Sequence, residues 1–221
     1  MCFTLRLHMS AAPPQGGLTQ ALALTIMSTD SWQFSKFEVA ERQLLQAIRL
    51  FFSRGDEVSV HTLAEAAAQV LYDTRHQHGG GNSIFRDSDR IRPEYKKEWL
   101  QHLFRSRNFF KHGNTDPTAT HEFKASFNHF SLLDAVNLYA SAKKAWTPET
   151  LIYFSWFILT YPNIIKDDDP LLLSYVKSSL AGPDPVDLGN FETWSCCIKE
   201  LRSGSRQLDN VILDMGLPVE R

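Results

Sequence analysis

Residues 147–162 read TPETLIYFSWFILTYP, and the reading of this stretch decides the fold. Thr147 suits a helix cap and Pro148 the first helical position, while Glu149 falls where the positive end of the helix dipole favours an acid. From Leu151 to Tyr161 the run is apolar nearly all round, which predicts a central, buried helix closed by Pro162. It is about half a bilayer long, so it is a core element rather than a span, and no window of the chain reaches 18 apolar residues. A helix apolar on every side needs other helices around it.

The neighbours are legible on both sides. Phe37, Ala40, Leu44, Ile48 and Phe51 recur at spacings of three and four, giving residues 36–53 one apolar face that Arg54-Gly55-Asp56 ends. A second helix carries Leu63, Ala67, Val70 and Leu71, with Ser59 as its expected N-cap and Thr62 and Glu65 as a competing capping box. The stretch His76 to Asn82, with three consecutive glycines, reads as a flexible connection. Pro93 and Gly113 bracket a third helix, about 30 Å long, striped by Tyr95, Trp99, Leu103 and Phe110. A fourth is expected at 129–144 with Phe130, Leu133, Val136 and Leu138 inward, and Asp169-Pro170 opens a sixth that runs to about Leu180. Two weaker helices are expected at about 190–202 and 206–215, and only around 123–127 does a strand period compete. The expected fold is all-α: an antiparallel helical bundle over 35–165 with a helical C-terminal extension over 166–221.

Residues 1–34 stand apart. Arg6 and His8 are followed by Pro13-Pro14, Gly16-Gly17 and the short run Ala21 to Leu24, too interrupted for a secretion signal and without a small-residue cleavage site. The expectation is a flexible leader; a start assigned too early would account for it, since Met27 opens a more ordinary beginning. Cys2, Cys196 and Cys197 build no disulfide framework, which points to a reducing, cytoplasmic compartment.

Of 221 residues, 23 are Lys or Arg and 25 Asp or Glu, a formal charge of −2, which argues against a wholesale polyanion binder. A hydrophobic fraction of 43% with 15 Phe and 5 Trp excludes a mostly disordered chain. Basic charge is nevertheless concentrated: residues 86–112 hold eight Lys and Arg against four acids. Such a segment attracts a phosphate backbone in a salt-dependent way. A solvated helix face with internal charge pairs is the plainer account of the same residues.

The third predicted helix ends Arg105-Ser106-Arg107-Asn108-Phe109-Phe110-Lys111-His112. The pattern R-N-x-x-x-H resembles the active-site motif of the HEPN superfamily (higher eukaryotes and prokaryotes nucleotide-binding). These are small helical bundles, many of them metal-independent RNA nucleases. Their pattern is an arginine and a histidine separated by four to six residues, with a polar residue after the arginine. Arg107 to His112 fits, with Asn108 in the polar slot; Arg105 to His112 is also allowed but lacks that neighbour. The departure is Gly113-Asn114 after the histidine, where many members carry an aromatic, so the helix is expected to stop sooner here.

The resemblance implies RNA cleavage through the 2′-hydroxyl, giving a 2′,3′-cyclic phosphate and a 5′-hydroxyl, with no metal and no cofactor. His112 would be the acid/base and Arg107 the phosphate clamp, since imidazole titrates near neutrality and guanidinium forks onto phosphate. Asn108 would orient either one. Arg105, Lys111, Lys96, Lys97 and Arg92 are the expected RNA-binding cations. Five residues at about 100° each place Arg107 and His112 about 140° apart around the axis. A homodimer presenting two copies of the helix end to one cleft would relieve this. The implied role is a toxin or phage-defence component with a cognate antitoxin or regulatory protein.

Other chemistries fare worse. His76-x-His78, His61, His102, His121 and His129 show no zinc spacing, and the glycine run lacks the Lys-Ser/Thr of a nucleotide loop. The alternative reading is a non-catalytic bundle for dimerisation or for RNA or protein binding, in which Arg107 and His112 are structural and His112 caps its helix.

Overall fold

The computed structural model describes residues 32–89, 91–114, 116–164, 170–181, 184–208 and 211–216. The chain divides into two units, Met1–Phe34 and Ser35–Arg221. Residues 1–31 of the expected leader, and Asp169 of the expected sixth-helix start, lie outside the described residues. Every helix among the described residues belongs to the second unit, and together they form an all-α helical bundle.

Helix α1 spans Lys36–Phe52 and opens with a capping box: the Ser35 hydroxyl accepts from the Glu38 amide at 3.1 Å, and the Glu38 carboxylate accepts from the Ser35 amide at 2.7 Å. A four-residue link folds it back onto α2, Glu57–Thr74. The cap of α2 is Asp56, whose carboxylate accepts from the Ser59 amide at 2.7 Å. Ser59 and the Thr62/Glu65 box are therefore not its start. Asp56 follows the Gly55 turn directly, which leaves Thr62 mid-helix donating to the Val58 carbonyl and turns Glu65 inward. Ala64, Ala67 and Ala68 keep the buried face of α2 thin, letting it pack against both α1 and α5, Phe127–Lys143.

The glycine connection is tied down rather than loose. The Gly81 amide donates to the Ser141 hydroxyl of α5 at 2.8 Å, and a Cβ at Gly80 would meet Arg75 at 3.2 Å and Ala142 at 3.4 Å. Gly80 and Gly81 serve close approach, and Gly79 supplies the left-handed turn at φ +62°. The following loop hangs from Asp134 of α5, which accepts from the Ser83 hydroxyl and the Ile84 amide, both at 2.7 Å.

The expected third helix is broken. A 3₁₀ turn at Pro93–Tyr95 leads into α3, Lys96–Leu103; Phe104 leaves helical geometry at φ −96°, ψ 9°; α4 then runs Arg105–Lys111. The Phe104 ring lies between two guanidinium groups, Arg86 at 4.7 Å and Arg107 at 4.0 Å, and this stacking holds the break. Residues 123–126 form no strand; the Phe123 ring packs instead on His61 and Phe110.

Helix α6, Pro148–Thr160, is capped by Thr147 and carries the fully buried Tyr153 and Phe157. Phe130, expected inward on α5, keeps 37% exposure, whereas Leu133, Val136 and Leu138 are buried as read. Helix α7 (Pro170–Ala181) packs on α6, and α8 (Phe191–Ser203) sends Trp194 and Ile198 into the same core. The expected last helix does not form among residues 206–208 and 211–216. Leu213 instead bridges to Trp146, and the Asp214 amide donates to the Trp146 carbonyl at 2.9 Å. No helix among the described residues is long and apolar enough to cross a membrane.

Candidate functional site

Helix α4 is short, and its register decides what it can assemble. Arg105 and His112 are seven residues apart, two helical turns, so they differ by only about 20° around the axis. They line one surface depression of about 450 Å³ together with Asn108, Phe109, Thr120 and His121. His112 is the exposed C-cap of α4, its amide donating to the Asn108 carbonyl at 3.1 Å; as expected, the helix stops short of Gly113. His121 comes from the loop after α4, its Nε2 2.8 Å from the Ser106 hydroxyl and its ring 5.0 Å from that of the 39%-exposed Phe109.

Arg107 does not line this depression. It is half-buried against α2, donating to Gln69 Oε1 at 2.8 Å while stacking on Phe104. Burial pulls its guanidinium down from the ordinary arginine value, and the facing Glu65 partly restores it. Asn108 connects the two sides: its Oδ1 accepts from Arg107 at 3.3 and 3.4 Å, and the residue itself lines the depression.

The other expected cations are spread. Lys111 is exposed beside His112. Lys96 is held on α3, donating to the Ser88 carbonyl at 3.0 Å, and Lys97 is exposed on the same helix. Arg92 lines a separate depression with Tyr95, Trp99 and His102. The structure thus brings Arg105, Asn108 and His112 to one place and leaves Arg107, Lys96, Lys97 and Arg92 outside it.

Behind the depression lies a recessed, partly closed cavity of about 110 Å³ between α2, α5 and the α3–α4 break, with Arg105 and His121 shared between the two spaces. Five of its lining residues are buried polar groups, His61, Glu65, Ser106, Ser131 and Asp134. Burial lowers the His61 imidazole to about 4, so it is neutral near pH 7, and the same effect raises the Glu65 and Asp134 carboxyls. Sequence reading missed His121 and Glu65 in these roles. The signal for the second was present: His61 and Glu65 stand four apart in an Ala-rich apolar helix, where polar residues on the inner face are unusual.

Among the described residues no group of three or more His, Cys, Asp or Glu is placed to hold a metal ion. No protein-family model, curated protein or solved structure matches this chain.

Proposed function

We propose that this is a cytoplasmic, metal-independent RNA endonuclease of the HEPN-like kind, with its reaction centre in the α4 depression. The observation that carries the reading is the meeting of two imidazoles, His112 and His121, with the Arg105 guanidinium in one solvent-open concavity. One imidazole takes the proton of the 2′-hydroxyl as its oxygen bonds to phosphorus; the other gives a proton to the departing 5′-oxygen as the phosphorus–oxygen bond breaks. The guanidinium stabilises charge on the phosphoryl oxygens. The clamp role that spacing assigned to Arg107 passes to Arg105, which shares a face with His112. Arg107 becomes a positioning residue that holds Asn108. Phe109 offers a stacking face, and Lys111 an electrostatic contact to the backbone.

The test is cleavage of generic RNA in EDTA. Wild type is expected to give 2′,3′-cyclic phosphate ends with a bell-shaped pH–rate profile, and His112→Ala and His121→Ala to lose about 10²-fold or more in rate while remaining folded. Cleavage that survives in both variants would remove the proposal. The wider role follows from the same chemistry: a toxin or phage-defence component, acting as a homodimer and restrained by a cognate antitoxin or regulatory protein. Growth under induced expression, wild type against His112→Ala, reads that role. The bonding of Arg107 to Gln69 and Phe104 favours one second reading, a non-catalytic RNA- or protein-binding module, which predicts no cleavage in any variant.

A further inference from the structure

The cavity's lining includes two buried acceptors that have no donor among the described residues. Glu65 is 6% exposed, and its Oε2 has no hydrogen-bond partner. His61 is 2% exposed, and the neighbouring Asn128 fixes its tautomer. The Asn128 amide nitrogen donates to the carbonyl and the carboxylate of Glu57 at 3.0 and 2.7 Å, so its Oδ1 is the atom 3.2 Å from His61 Nδ1. Nδ1 therefore carries the proton, and Nε2, also without a partner, presents a bare lone pair. The two residues stand at i and i+4 on α2 and line the same cavity.

A pair of unmet buried acceptors selects for a pair of donors. Phe127 and the edge-to-face pair Phe85 and Phe130, 6.3 Å apart, give the walls an aromatic, apolar surface, which suits a heteroaromatic ligand. Arg86 and Arg107 already place positive charge near Glu65, which disfavours a second cation such as an arginine side chain. The cavity is the smaller of the two spaces and suits the base, whereas the adjoining depression has room for the ribose and phosphate.

We propose that this cavity recognises guanine, Glu65 accepting from N1–H and the exocyclic amine and His61 Nε2 accepting the second amine hydrogen. The base lies against the phenylalanine side chains, and its phosphate lies toward Arg105 and His121, which belong to both spaces. The inference deepens the RNA-cleavage reading and rests on it for the pocket's place in a reaction: cleavage occurs beside guanosine.

The experiment is calorimetric titration of the full chain with guanosine, inosine and adenosine 3′-monophosphates, alongside mapping of cut sites on an RNA containing all four bases. Guanosine monophosphate is expected to bind about tenfold or more tightly than the inosine form, which lacks only the exocyclic amine, and cuts are expected beside guanosine. Glu65→Gln, with its circular dichroism unchanged, is expected to lose the same factor. Should that variant fail to fold, the guanosine–inosine ratio on wild type decides alone. Equal binding of the three nucleotides, an unaffected Glu65→Gln, or preferential binding of arginine amide overturns the pocket. Cleavage without guanosine preference sinks the pocket and spares the nuclease. Guanosine discrimination with no cleavage in EDTA does the reverse.

Discussion

The Glu65 carboxyl is held above the ordinary carboxylate range because burial removes its solvent to a greater degree than Ser131, Arg86 and Arg107 compensate. Its folded value exceeds the unfolded 4.5, so the folded state binds the proton more tightly. Stability from this group is therefore present below about pH 4.5 and is lost as pH rises through the folded value. Glu65→Gln keeps the shape without the charge. It is expected to raise the melting temperature by a few degrees near pH 8 and to leave it nearly unchanged near pH 4, as thermal melts at the two pH values will read. An equal shift at both would mean that the carboxylate is not the strained form. At this scale the sequence was half legible. The arginine–histidine spacing was visible, and it admitted both Arg105 and Arg107; the polar neighbour pointed to one, and the helical repeat places the other beside His112. Glu65 was hidden because Thr62-x-x-Glu65 imitates a helix start.

At the level of elements, local chemistry decides each boundary. Asp56 takes the α2 start from Ser59 because it is the first side chain after the Gly55 turn that can reach the exposed amides. Asp56→Ala is expected to cost about 1 kcal/mol in urea denaturation, whereas Thr62→Ala, if it acted as a cap, would cost the same and by its mid-helix position should cost less. Helix α1, with its one apolar face, and α5 and α6, rich in apolar residues, were readable to within a few residues at each end. The single long rod expected over 93–113 was not, since its break depends on Arg86, some 18 residues before Phe104, stacking on that ring. A contact between segments leaves no periodic trace in either. The last expected helix failed for a like reason: its residues pair with Trp146 instead of with one another.

For the molecule as a whole, the bundle is fastened by one acid at the start of its most apolar helix. Glu149 is fully buried, and Arg49 of α1 and Arg202 of α8 both donate to its carboxylate. Sequence reading saw it as a favourable charge at a helix start. It is also the point where three helices are pinned together. Glu149→Gln is expected to lower the unfolding free energy by about 3 kcal/mol, toward the lower end for a broken buried pair because both arginines still reach water. Equilibrium urea denaturation with an unchanged m-value is the check.

The loop at Ser83–Arg86 supplies one phenylalanine of the inner cavity and is held to the bundle by side chains: Asp134 accepts from its hydroxyl and amide, the Trp99 indole donates to the Phe85 carbonyl at 3.1 Å, and Arg86 donates to Gln69 at 2.9 Å while stacking on Phe104. A ceiling fastened by side chains rather than by a helical ladder can swing aside without melting the helices beneath it. The Ile84 amide is accordingly expected to exchange with deuterium far sooner than the amides at the centre of α2, and its opening rate sets how quickly a guest can come and go.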